Sequence, residues 1–112
     1  MNTYSSLEIA CSLTPADYTE RLREFRRLFA TALRASRREP TRLYLSLDQG
    51  AAREEDVRDL LRREQQCCSF FSFSVEAQPA GIQVEAAVPE GAEECLDDFE
   101  RMATRALLDA KI

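Results

Sequence analysis

The strongest constraint on this chain is a repeated switch between apolar patterns of period two and period 3.6, and every period-two segment has a single apolar face. From Tyr4 to Leu13, the residues Leu7, Ile9, Cys11 and Leu13 share one face, with Ser6, Glu8 and Ser12 opposite, as a half-buried strand requires. Thr14-Pro15-Ala16-Asp17 then supplies an N-cap, a proline at the first helical position and an acid in the first turn. The helix continues through Tyr18, Leu22, Phe25, Phe29, Ala32 and Leu33 and is expected to end near Ser36.

Pro40 separates that helix from a second strand, Thr41 to Leu47, with Leu43, Leu45 and Leu47 facing inward. Asp48-Gln49-Gly50 is turn chemistry. A second helix, from about Ala51 to Gln66, carries a thin stripe of Val57, Leu60 and Leu61. The next positions of the stripe are Glu64 and Cys68, with Cys67 adjacent, so a carboxylate stands where an apolar residue is expected, one turn before two thiols. Ser69 to Ala77 alternates again through Phe71, Phe73 and Val75. Gln78-Pro79-Ala80-Gly81 suits a tight turn into a returning strand, Ile82 to Val88. Pro89-Glu90-Gly91 breaks that strand, and a third helix, about Ala92 to Leu108, turns Cys95 or Leu96, Phe99, Met102, Ala103 and Ala106 inward.

The expected order is therefore β-α-β-α-β-β-α in a single domain spanning residues 1–112. One apolar face per strand places all helices on one side of a four-stranded mixed sheet: an α+β fold, a two-layer α/β sandwich. Tyr44 and Phe70 are expected among the polar residues of the open face, where they would mark a contact surface or be ordinary scattered exposure.

The chain has no histidine, which excludes a Ser-His-Asp triad, a His-paired cysteine nucleophile and mixed Cys/His zinc sites. Any bound metal must take sulfur or oxygen ligands. A net charge of −5 argues against nucleic acid as a partner. The charges are unevenly spread. Arg23, Arg26, Arg27, Arg34, Arg37 and Arg38 recur at helical spacing, while Glu90, Glu93, Glu94, Asp97, Asp98 and Glu100 load the C-terminal segment. Two solvated helix faces that attract each other, or a symmetry mate, are expected from this distribution, with phosphate binding by the arginines as the alternative. No apolar run is long enough to span a membrane, and no secretory signal is evident, so a cytoplasmic location is expected. There thiols stay reduced, and four cysteines favour metal or redox chemistry over disulfides.

Cys95 lies on the buried stripe of the last helix and reads as a small core hydrophobe. Cys11 is also on a core side. The adjacent pair Cys67 and Cys68 is less easily explained by packing, because two neighbouring thiolates suit a soft ion such as zinc, mercury(II) or arsenic(III). Cys11 can join them as a third thiolate if the segment bearing it runs antiparallel to the strand after the pair. Glu64 is then a candidate metal ligand or proton acceptor; alternatively it is a partly exposed acid paired with Arg101, Arg105 or another arginine. The helix C-terminus raises rather than lowers a thiol pKa unless Arg62 and Arg63 fold back toward the pair. A bound ion drives deprotonation itself. Metal binding is accordingly favoured over a thiol enzyme, and no catalytic residue is assigned. A noncatalytic homodimeric or partner-binding module with structural cysteines is the second reading.

Ala10-Cys11-Ser12-Leu13-Thr14 and Glu64-Gln65-Gln66-Cys67-Cys68-Ser69-Phe70-Phe71-Ser72-Phe73 resemble a group of small bacterial proteins. Those proteins combine an Ala-Cys-x-Leu-Thr start with a Glu-x-x-Cys-Cys-Pro-Phe-x-x-Phe core and are associated with mercury or arsenic resistance. The resemblance implies shared roles for Cys11, Glu64, Cys67 and Cys68. This chain departs from the pattern at Ser69, where the group carries proline. The strand order is also similar to that of small sulfur-carrier proteins, whose Cys-Pro motif is missing here.

Overall fold

The computed structural model describes residues 15–67 and 70–110. In chain order the elements are α1 (Pro15–Ala32), β1 (Leu33–Glu39), β2 (Arg42–Leu47), α2 (Glu54–Cys67), β3 (Ser72–Gln78), β4 (Gly81–Ala87) and α3 (Glu93–Ala110). The strands form one four-stranded sheet in the order β1-β2-β4-β3. The α+β class is as expected, with three helices against a four-stranded sheet.

The membership and sense of that sheet differ from expectation. Leu33 to Ser36, expected as the end of the first helix, instead begins a strand, Leu33–Glu39, that follows α1 without a loop. Pro40 and Thr41 form the two-residue turn of a hairpin, because Glu39 pairs with Arg42. Proline at this turn position presets the backbone. All three described strand pairings are antiparallel, where a mixed sheet was expected. The hairpin accounts for this: it supplies β2 with a neighbour that must run in the opposite sense. The expected strand from Tyr4 to Leu13 lies outside the described residues.

Register fixes which face is buried. Leu43, Leu45 and Leu47 of β2 stand opposite Ala86, Val84 and Ile82 of β4, and all six are at most 3% exposed. Alternation then turns Arg42, Tyr44 and Ser46, with Gln83 and Glu85, to the other face. The helices seal the apolar face through Phe25, Phe29 and Ala32 of α1, Val57, Leu60 and Leu61 of α2, and Leu96, Phe99, Ala103 and Ala106 of α3. Phe99 is the hub. Its ring lies 5.3 Å from Phe25, 5.9 Å from Phe29, 5.6 Å from Phe71 and 5.9 Å from Phe73, joining α1, α3 and the start of β3. Edge-to-face and offset contacts of this kind stabilise beyond the area they bury. Tyr18, expected on the inner stripe of α1, is 49% exposed. Arg21 occupies the buried position one turn before Phe25 instead.

The returning hairpin closes over Pro79 and Ala80, with Gln78 opposite Gly81. Gly81 has φ +152°, and a Cβ there would meet the Leu47 carbonyl oxygen at 2.5 Å. Glycine is thus required by both backbone and space. Among the described residues, no helix is long and apolar enough to cross a membrane.

Candidate functional site

The site singled out by the sequence lies where α2 ends. Three acids, Glu54, Glu55 and Asp56, occupy the first turn of this helix, where the positive end of its dipole favours them. The buried stripe Val57, Leu60 and Leu61 holds the helix to the core. Glu64 continues that stripe, and its side chain is 14% exposed. The carboxylate is tolerated there because Arg21 of α1 donates to it at 2.9 Å. Arg21, itself 9% exposed, is the buried charged residue among those described. A buried charge without such a partner is strongly destabilising.

The pair belongs to a network. Glu24 lies 3.7 Å from Arg21 and accepts two hydrogen bonds from Arg63, at 2.9 and 3.1 Å. Arg63 also donates to Asp59 at 2.9 Å, and Arg62 to Asp59 at 2.7 Å. The hydrogen bond from Arg63 holds the Asp59 carboxyl below its ordinary range, and bonding to Glu24 and Asp59 raises the Arg63 guanidinium. The first half of α1 is thereby fastened to the last turns of α2. Among the described residues, both arginines of the Arg62-Arg63 pair engage acids of the preceding turn or of α1.

Cys67 is the last residue of α2. Its side chain, together with Cys11 and Cys68, lies outside the described residues. Among those described, no three Cys, Asp or Glu side chains converge into a metal-binding group. Glu64 lies at the end of α2 as expected, and its arginine partner is Arg21 of α1 rather than Arg101 or Arg105 of α3. The signal was present: Arg21, Phe25, Phe29 and Ala32 share one helical stripe, and a charge on such a stripe calls for a partner of opposite sign.

Cys95 is 7% exposed within the core, as expected of a packing cysteine. Burial, and then the charges of Asp98 and Glu94, push its thiol upward from the ordinary value, which makes it a poor thiolate. Phe70 does not lie on the open face; it packs on the core, 4.9 Å from the Phe71 ring. Tyr44 does lie there, half-buried beneath the Arg37 guanidinium at 4.1 Å, with its hydroxyl 3.3 Å from Glu39. The expected attraction between basic and acidic segments occurs at Arg38, which meets Asp97 at 2.7 Å and Glu100 at 2.9 Å. It does so from a strand, because Arg34, Arg37 and Arg38 belong to β1.

Beside the end of α2, a groove of about 610 Å³ separates this helix from β3, lined by Arg58, Leu61, Arg62, Gln65, Gln66, Phe73, Ser74 and Val75. Gln65 closes one end, its carbonyl accepting the Phe73 N–H at 3.0 Å. No protein-family model, curated protein or solved structure matches this chain.

Proposed function

We propose that this protein is a small cytosolic binder of a thiophilic metal ion, mercury(II), arsenic(III) or zinc, through Cys67 and Cys68 with Cys11 as third thiolate. The observation that carries the reading is the pairing of Arg21 with Glu64. It fastens α1 beside the last turn of α2, and Pro15 stands six residues, about 9 Å of helix, before Arg21. Cys11 precedes Pro15 by four residues, at most about 14 Å of extended chain. The segments bearing the three thiols therefore leave neighbouring helix ends. Glu64 acts here as a charge partner that orients α2, leaving the sulfur atoms as the principal donors.

The network around Asp59 also favours a metal over a thiol enzyme. Among the described residues Arg62 and Arg63 bond to Asp59 and Glu24, and the dipole at the helix C-terminus opposes thiolate ionisation. A soft ion displaces the thiol protons itself. The likeness to the mercury- and arsenic-associated group points the same way. The experiment is equilibrium uptake of mercury(II) or zinc by the reduced chain. Cys67→Ser and Cys68→Ser are each expected to abolish stoichiometric binding, with Cys95→Ser as the control that retains it. Full uptake in both of the first two variants would defeat the reading.

A further inference from the structure

Among the described residues, β3 has a strand neighbour on one side, β4, and none on the other. The apolar face of the sheet is least covered there. Phe73 and Val75 are half-buried and Ala77 is exposed, whereas their partners across the ladder, Ala86, Val84 and Ile82, are 0%, 3% and 0% exposed. An exposed edge of this kind is a template for another strand. The groove against α2 borders this edge at Phe73, Ser74 and Val75.

We propose that this edge is completed by the chain's own residues 7–13, added as a fifth strand antiparallel to β3. The sequence supplies the right element: Leu7, Ile9, Cys11 and Leu13 alternate with Glu8, Ala10 and Ser12 over seven positions, the length of β3. Those four side chains would continue the apolar face outward over Phe73, Val75 and the flank of α2. Connectivity sets the direction. Leu13 is two residues from the start of α1, and the first half of α1 is tied to the end of α2 by Arg21–Glu64 and Glu24–Arg63. Phe25 of α1 and Phe71, just before β3, both pack on the Phe99 ring of α3. The end of α2 precedes β3 by a short connection, so a segment finishing at α1 is set nearer the start of β3 than its end, which favours the antiparallel sense.

The opposite edge, β1, is a poorer acceptor. It adjoins the C-terminal end of α1, and its core-side positions beyond Leu33 are Ser36 and Arg38, which offer no apolar surface to cover. Pairing at β3 would carry Cys11 to the end of α2, as the thiolate reading requires. The pairing itself does not depend on any metal.

The test is amide exchange and nuclear Overhauser spectroscopy on the full, metal-free chain. Phe73 turns its N–H outward to Gln65, so by alternation Val75 and Ala77 do the same. Their amides are expected to exchange on the order of 100-fold slower than in an unstructured chain. Ile9→Asp should restore fast exchange at these two positions while β2 and β4 amides stay slow. Cross-strand contacts between residues 7–13 and β3 are expected in the unmodified protein, independent of how the variant folds. Fast exchange of Val75 and Ala77 in the full chain, or absence of those contacts, would overturn the proposal. Protection that rises with protein concentration would assign the edge to a second copy, and would overturn it equally.

Discussion

At the scale of single residues, the most informative position is Glu64. A carboxylate interrupting an apolar stripe is legible from sequence as an anomaly, yet its meaning depends on a partner 43 positions away. Sequence periodicity marks that something must neutralise it and is silent on what, because pairing across helices is a tertiary property. The structure supplies Arg21, with side-chain exposures of 10% and 14% for the two partners. Removing one charge leaves the other stranded, so Arg21→Ala is expected to destabilise the fold by about 3 kcal/mol. Replacing both, as Arg21→Met with Glu64→Leu, should return stability to near the starting value, since well-packed apolar residues substitute for a buried ion pair at little cost. Urea unfolding of the two variants measures this. A double variant as unstable as the single one would show that the pair has another structural role. Cys95 is the contrasting case, because its place on a stripe with Phe99 and Ala103 sufficed to assign it to the core.

At the scale of elements, the segments with clean periodicity were legible and the one without it was not. Arg42–Leu47, Ser72–Gln78 and Gly81–Ala87 alternate, and each was read as a strand within a few residues of its observed ends. Leu33–Glu39 has the sequence LRASRRE, with one buried apolar residue and no apolar alternation. Its strand state comes from the partner: pairing with β2 and the proline-led turn override a local preference that favours helix. Arg38 stabilises that choice by reaching Asp97 and Glu100 from the core side. Turn chemistry was a better guide at the second hairpin, where Pro79 and Gly81 mark the reversal. Gly81→Ala is expected to lower stability by about 1–3 kcal/mol, through the unfavourable φ and the approach to the Leu47 carbonyl. The check is a lower denaturation midpoint with an unchanged slope.

At the scale of the whole molecule, the three described helices and the sheet bury one apolar face around Phe99, and the Arg21–Glu64 pair lies at one margin of that core. The ion-pair network from Glu64 through Arg21, Glu24 and Arg63 to Asp59 ties α1 to α2, close to Cys67, the last residue of α2. Class and core followed from period and composition. The candidate site was legible as a set of residue types; the pairing of Glu64 with Arg21 was not, because it depends on which helices meet. X-ray absorption at the metal edge of the zinc- or mercury-loaded full chain tests the central claim most directly. Three sulfur neighbours per bound ion, at about 2.3 Å for zinc, with one lost on Cys11→Ser, is the expected result; a shell of oxygen or nitrogen, or a sulfur count unchanged by Cys11→Ser, would contradict it.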